Sequence, residues 1–274
     1  MLRRRWSVGW AWVVCSGFAC VSPASSPRTT LASGAASETL TVATFNVNFA
    51  IPDDAPTIAA VQQLDADVLL LQETNAQWER SLARWIAERR LHARFWRSER
   101  WPAGGAAVVS RWPISDERSV DSAVGWFQAH RFNVRTPRGE VAFVNVHLQP
   151  PITDGSPVRG WFDAPAQHER EIAHALRELG PTHARALIVA GDFNEPEGRG
   201  AVAWLNRERE LCSALPAFEP DAPTWRWTVG PVELTERLDH IAYSPRSFEA
   251  LEARVLRLGR SDHLPVRAVL RWRR

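Results

Sequence analysis

The stretch Leu187-Ile188-Val189-Ala190-Gly191-Asp192-Phe193-Asn194 decides how the rest of the chain reads. Branched apolar residues open it, the pattern of a buried strand, and it ends abruptly in glycine, a carboxylate and a carboxamide. On an extended backbone Asp192 and Asn194, two apart, point to one face. Gly191 admits a close approach of backbone or ligand, and Glu195-Pro196 stops the strand. Two readings stand at this point. Asp192 and Asn194 cap a following helix or shape a turn, a common use of both residue types. Alternatively, a buried strand delivers an acid and an amide to a site, since burying such groups without partners costs roughly 2–7 kcal/mol each.

On either side of this stretch, strands and helices alternate. Thr41 to Val47 reads as a strand, and Asp54-Ala55-Pro56 as the capped start of a helix whose apolar face is Ile58, Val61 and Leu64. Val68 to Glu73 is a second buried strand ending in a carboxylate. Trp78 to Arg90 has helical spacing, with Trp78, Leu82, Trp85 and Ile86 on one side. Ala106 to Ser110 is a short strand, and Phe127 to Leu148 holds two more joined by Pro137-Arg138-Gly139, a hairpin signal. Gln167 to Leu179 is a helix feeding the central strand. Strand-like runs follow at Leu238–Ala242, Ala253–Leu258 and Leu264–Trp272. Neither an internal repeat nor a second linker interrupts this order, so residues 38–274 read as one domain.

The bulk numbers bound the chemistry. The 274 residues suffice for a large core, and a net charge of +2 gives no ground for a polyanion-binding surface. Every one of the 33 residues counted as Lys or Arg is arginine, which excludes a lysine nucleophile or Schiff base. Residues 1–37 stand apart. Met1-Leu2-Arg3-Arg4-Arg5 is a basic start, with a faint twin-arginine character at Arg3-Arg4. Val8 to Val21 is an apolar run too short to span a bilayer comfortably, and Ser22 to Ser37 is a Ser/Ala/Pro/Thr tether. This arrangement resembles an export signal, and predicts a periplasmic, cell-envelope or secreted protein. Cys20 resembles the acylated cysteine of a bacterial lipoprotein, although the usual leucine three residues earlier is absent; the other reading is ordinary cleavage near Ala24. Of the three cysteines only Cys212 lies in the domain, so no internal disulfide forms there.

Each strand turns polar where it ends: Asn46, Glu73, Asn145 with His147, Asp192 with Asn194. Asp239 lies in a later strand, and Ser261-Asp262-His263 precedes the last. Acids, amides and histidines placed this way repeatedly suggest one convergent site on a sheet scaffold. Oxygen donors without cysteine favour a hard divalent cation, magnesium first and manganese second. A histidine near an aspartate suits a general base, and metal, base and amide together suit attack of water on a phosphate ester.

Thr44-Phe45-Asn46, Leu71-Gln72-Glu73, Asn145-Val146-His147-Leu148, Gly191-Asp192-Phe193-Asn194, Leu238-Asp239 and Ser261-Asp262-His263-Leu264-Pro265 occur in the order of the motifs of the endonuclease/exonuclease/phosphatase superfamily, which the chain resembles over residues 40–272. The resemblance implies a four-layer αββα sandwich of two packed mixed β-sheets, and metal-dependent phosphoester hydrolysis. By motif it implies Glu73 as principal metal ligand, with Asn46 and Asp262 assisting. His263, oriented by Asp239, would be the general base or a phosphate-stabilising imidazole. Asp192 would align or deprotonate the water, and Asn194, with Asn46, would bind phosphate oxygen. His147 would stabilise the transition state or protonate the leaving oxygen.

Apurinic-site nucleases of the superfamily carry an aspartate where this chain has Asn48 and a tyrosine where it has His147. Those departures move the resemblance toward deoxyribonucleases, sphingomyelinases and inositol phosphatases. Around Trp101 to Gly105 we find no glutamate of the kind that deoxyribonuclease-like members pair with the middle histidine. Trp126-Phe127, Trp161-Phe162 and Trp225-Arg226-Trp227 fall near segments bordering the site, where they either stack on substrate or fill core. The expected substrate is a phosphodiester, in nucleic acid or phospholipid, hydrolysed by a monomer. The alternatives are a phosphomonoesterase acting on small sugar or inositol phosphates, and a non-catalytic binding protein of the same fold.

The amino-terminal reading is tested by mass spectrometry of the mature protein from its own host. Residues before about Cys20 to Ala24 are expected to be missing. An intact Met1 on a cytoplasmic protein would reject export, and an unacylated end beyond Cys20 would reject the lipid anchor alone.

Overall fold

The computed structural model describes residues 38–151 and 157–273; the expected signal, Cys20 and the tether of residues 1–37 lie outside them. The first half of the chain runs β1 (Thr39–Asn46), α1 (Ala55–Gln63), β2 (Val68–Gln72), α2 (Ala76–Glu88), β3 (His92–Trp96), β4 (Ala106–Ser110), β5 (Ile114–Val120), β6 (Ala129–Thr136) and β7 (Gly139–His147). It continues with α3 (Pro157–Leu179), β8 (Ala186–Asp192), α4 (Gly200–Arg209), β9 (Cys212–Ser213), the hairpin β10 (Trp225–Val229) and β11 (Val232–Glu236), then β12 (Asp239–Tyr243), β13 (Phe248–Val255) and β14 (Val266–Trp272).

Twelve of these strands form two six-stranded mixed sheets, ordered β13-β14-β1-β2-β4-β3 and β5-β6-β7-β8-β12-β9, and β10 and β11 make a two-stranded sheet of their own. Each sheet holds one parallel pair at its centre, β1 with β2 and β7 with β8, and its other neighbours are antiparallel. A parallel pair needs a crossover, and α1 and α3 provide it. Asp54 caps α1 by accepting from the Thr57 amide at 2.9 Å, with Pro56 in the first turn as its sequence suggests.

Period-2 alternation sorts the side chains. Leu40 and Val42, Val68 and Leu70, Val141 and Phe143, Ile188 and Ala190, and Ile241 and Tyr243 share the core between the sheets. The alternate residues, such as Phe45 and Leu71 on one sheet and Val144 and Val189 on the other, pack outward. Phe45 and Leu71 meet Val61, Trp78 and Leu82 of α1 and α2, while Val144 and Val189 meet Ile172, Leu176 and Leu205 of α3 and α4. Helix, sheet, sheet, helix is the four-layer sandwich.

The rows facing the other sheet change character at one end. β1 reads Leu40, Val42, Thr44, Asn46; β7 reads Val141, Phe143, Asn145, His147; β8 reads Ile188, Ala190, Asp192. A buried polar layer marks the change. Gln72 donates to Asn145 Oδ1 at 2.7 Å, and Asn145 donates to the carbonyls of Leu71 and Ala107 at 3.0 and 3.1 Å. Asn145 thus ties the two sheets together beneath the site rather than lining it. In this way the amide groups are satisfied without water, so the layer carries no unpaired-group penalty.

Several elements differ from the sequence reading. β13 lies earlier than Ala253–Leu258, because a bulge between Ala250 and Glu252 breaks its alternation. α3 begins ten residues before Gln167 and contains Pro165. β3, β5, α4 and the β10–β11 hairpin have charged or short segments that give no clear period. On the hairpin, Trp227, Leu234 and Val232 are solvent-exposed.

Gly191 has φ +147°, and a Cβ there would lie 1.9 Å from the Val146 carbonyl oxygen of the neighbouring strand. Strain and overpacking of about 1–3 kcal/mol each predict that Gly191→Ala lowers unfolding stability by roughly 2–6 kcal/mol in denaturant titration. A loss under about 1 kcal/mol would mean that β7 and β8 are not held this closely.

Candidate active site

The polar ends of the strands meet around Asp192. In the sheet register His147 and Asp239 both stand directly opposite it, one on each neighbouring strand. Its carboxylate is buried, accepting from the Asn46 amide through Oδ2 at 3.0 Å and from the Asn194 backbone through Oδ1 at 2.9 Å. His147 Nε2 and His263 Nε2 lie 3.6 and 3.5 Å from Oδ2. Asn194 itself has φ +51°, so the backbone turns after Asp192 and the two side chains do not continue one strand face. Its side-chain amide donates to the Leu148 carbonyl at 2.8 Å. The cap-or-site alternative therefore dissolves at Asp192, which shapes the turn with one oxygen and meets the histidines with the other.

His263 is held from two sides. Its Nδ1 donates to Asp239 Oδ2 at 2.9 Å, and the Ser261 hydroxyl accepts from its backbone N–H and donates to the Asn46 carbonyl. The Thr224 hydroxyl accepts from the amides of Leu238 and Asp239 and fixes the start of β12. Thr224 carries no sequence signal, since a lone threonine before a hairpin resembles any other.

Glu73, just past β2, has φ +60° and is mostly buried. Asn46 donates to its Oε1 at 3.0 Å and the Phe49 amide to its Oε2 at 3.1 Å. One asparagine thus joins Glu73 to Asp192, while its own Oδ1 accepts from the Asn48 amide. Asp262 accepts from Asn48 Nδ2 at 3.0 Å and from the Trp225 indole at 3.3 Å. Asn46, Glu73, His147, Asp192, Asn194, Asp239, Asp262 and His263 therefore fall on one face of the sandwich, linked through shared contacts.

Aromatic residues border it. Phe127 stacks on His147 with centroids 4.1 Å apart, Trp126 meets Phe127 edge-on, and Trp101 stacks on Trp126. Trp225 is tied to Asp262, whereas Trp227 is solvent-exposed. The side chains of Trp161 and Phe162 lie outside the described residues.

Electrostatics separate the two histidines. Burial pushes His263 down, but the carboxylates of Asp239 and Asp192 outweigh it and hold the imidazole at about 10. Burial dominates at His147 and, despite the nearby Asp192 charge, leaves it at about 4. At neutral pH the first is an imidazolium and the second a neutral ring. Burial also pushes Glu73 and Asp192 above the ordinary carboxylate range.

A two-sheet αββα sandwich with carboxylates and histidines gathered at one end of its central strands defines a class of hydrolase scaffold. The chain belongs to the Endonuclease/Exonuclease/phosphatase family, whose model matches residues 43–263. Members of this family hydrolyse phosphoester bonds and depend on divalent metal. Among solved structures, an endonuclease/exonuclease/phosphatase from Beutenbergia cavernae is 22% identical over 85% of this chain and 72% of its own, with TM-score 0.65. The human Nocturnin catalytic domain with bound sulfate is 18% identical over 86% and 94%, with TM-score 0.62. Truncated Caenorhabditis elegans TDP2 is 14% identical over 85% and 98%, with TM-score 0.60. At these identities the likeness is one of fold. The curated proteins contain no significant match.

The residues fit a divalent cation. Asp262 and Glu73 oppose each other's charge, and burial raises Glu73 further, so a hard cation between such oxygens would relieve both. Asp192, Asp239 and His263 also place potential ligand atoms within 4.8 Å of one another. In that trio, however, the carboxylates hold His263 as an imidazolium at neutral pH, and with Nδ1 donating to Asp239 and Nε2 also protonated the ring has no lone pair for a metal. The Glu73 side of the cleft is the better cation site.

Proposed function

We propose that this chain is a magnesium- or manganese-dependent phosphodiesterase, exported from the cytoplasm and acting on nucleic acid or phospholipid. The observation that carries the reading is His263 braced between Asp239 and Asp192, with Asn46 connecting Asp192 to Glu73. Export rests on the residue pattern of 1–37, and attachment through Cys20 remains part of the proposal.

Glu73 and Asp262 would hold the cation, with Asn46 aligning Glu73 against Asp192. When bound, a divalent cation neutralises charge on the phosphate and makes phosphorus easier to attack. His263, kept protonated by its two carboxylates, donates from Nε2 to a phosphate oxygen and offsets charge that grows in the transition state. Asp192 lies beside it, raised by burial toward the basicity that proton abstraction from water requires. Neutral His147, stacked on Phe127, offers a hydrogen bond from the opposite side of Asp192. Asn194 fixes the Leu148 carbonyl and thereby the end of the His147 strand, and its remaining amide hydrogen would donate to a phosphate oxygen.

Charge favours a diester. The partners of Glu73, Asp192, Asp239 and Asp262 are amides, imidazoles, an indole, a hydroxyl and backbone N–H groups. One imidazolium and one metal offset a singly charged phosphodiester more readily than a monoester dianion beside those carboxylates.

The test is a substrate panel with magnesium, comprising plasmid DNA, RNA, sphingomyelin, bis(p-nitrophenyl) phosphate and p-nitrophenyl phosphate. Diester hydrolysis abolished by EDTA is expected. Hydrolysis of p-nitrophenyl phosphate alone would establish the phosphomonoesterase reading, and no turnover of any ester would favour a binding protein. His263→Ala should cost on the order of 10²–10³-fold in rate, the scale of losing one donor to the developing charge. Asp239→Asn should cost part of that, and the double variant little more than His263→Ala, because coupled groups lose their effect together. Penalties that multiply in well-folded proteins would break the pair.

A further inference from the structure

Behind the cleft lies a second set of ionisable groups that phosphoester hydrolysis does not use. His168, Glu171 and Glu195 are all almost fully buried, as is Gln149. His168 and Glu171 are one turn apart on α3 and face the loops that follow β7 and β8. His168 Nε2 lies 2.7 Å from the Gln149 carbonyl oxygen, and Nδ1 lies 3.0 Å from Glu195 Oε2. Glu171 accepts from the Gln149 amide at 3.2 Å and from the Ser122 hydroxyl at 2.5 Å. Gln149 is therefore held at its N–H and its carbonyl, and the Gln167 amide holds its side chain as well.

The other end of the network is equally fixed. Glu195 Oε1 accepts from the Val202 amide in the first turn of α4, at 3.1 Å. A Cβ on Gly200 would lie 1.8 Å from Glu195 Oε2, so the carboxylate occupies the space a side chain would need. His240 Nε2 lies 2.8 Å from the Glu195 carbonyl oxygen, which pins its backbone too.

These contacts close a ring behind the site. Gln149 is two residues from His147, and Glu195 is the neighbour of Asn194. Asn194 donates to the Leu148 carbonyl, and the Leu148 amide donates to the Asp192 carbonyl. The bond from His168 to Glu195 completes the circuit from the β8 loop through α3 to the β7 loop. A carbonyl only accepts, so Nε2 carries a hydrogen, and the pair holds one further proton between Nδ1 and Glu195. Burying such a pair is costly where apolar side chains would pack as well, and removing one partner leaves an uncompensated charge.

We propose that His168 and Glu195 are positioning residues, a buried strap that sets His147 and Asn194 in reacting geometry without touching substrate. The proposal rests on the hydrolase reading of the site. Neither residue belongs to the motifs that carry the family resemblance, and the strap assigns both a task in turnover rather than in packing alone.

The experiment compares His168→Gln, Glu195→Gln and the double variant on bis(p-nitrophenyl) phosphate with magnesium, alongside thermal unfolding and NMR of the His147 ring. Each single variant should lower kcat by about 10–100-fold, the usual scale for groups that orient a site from behind, with KM nearly unchanged. The double variant, whose two amides can hydrogen-bond to each other and to Gln149, should recover most of that loss. A well-folded His168→Gln enzyme with normal kcat, or a double variant with multiplied losses, would overturn the strap. Should Glu195→Gln not fold, Glu195→Asp keeps the charge on a side chain too short to reach His168, and the same fall in kcat is expected. Inactivity of the unaltered enzyme on every ester would sink the hydrolase reading instead. The strap would then be judged by the His147 ring signal, which must shift in His168→Gln if the loop is held as described and would overturn the strap if unmoved.

Discussion

The site depends on one buried carboxylate. Asp192 is the last residue of β8 and stands between His147 and Asp239 in the register of its sheet. The amide of Asn46, from the opposite sheet, reaches across to it. Without partners such a group would cost several kcal/mol, roughly 2–7, and would take up a proton instead. Two amide donors and two nearby imidazoles let it stay where it is. The same contacts fix the distance between the two sheets at their open end, so the packing of the sandwich and the shape of the site share one constraint.

Below that carboxylate the structure changes abruptly from polar to apolar. Thr44, Gln72 and Asn145 form a layer whose hydrogen bonds are made within the protein. Below it, Phe132, Phe143, Leu70 and Ile188 fill the space between the sheets. Each such side chain contributes about 1.5–3 kcal/mol when fully buried. The apolar part holds the sheets together, and the polar layer fixes which residues stand opposite one another. A slip of one residue in β7 would bring Val146 into the cleft and turn His147 toward α3. Register is thus a condition of chemistry as well as of stability.

Much of this was legible from residue patterns. Four strands, β1, β2, β7 and β8, pass from apolar to polar where they end, and a period of two puts Asn46, His147 and Asp192 on their inward rows; the antiparallel pairing of β12 with β8 brings Asp239 to the same end. What pattern could not show was depth. Asn145 and His147 look equivalent in sequence, yet one bonds backbone carbonyls between the sheets and the other reaches the cleft. A period of two sets Asn194 beside Asp192 on an extended strand, but its φ of +51° turns the chain there. β3 and β5 are edge strands with several exposed charges, and tertiary pairing rather than local preference makes them strands. His168 and Glu195 are 27 residues apart and gave no joint signal, because only the fold brings a helix face against a loop.

The two histidines most directly test the account, because their opposite charge states follow from burial and carboxylate placement alone. Ring-nitrogen NMR shifts of His147 and His263 in the metal-free protein, followed from about pH 5 to 9, would read those states. His263, held at about 10, should remain an imidazolium throughout, while His147, pushed to about 4, should remain neutral. A His263 ring that loses its proton near the ordinary value of about 6.5 would contradict the arrangement of Asp192 and Asp239 described above.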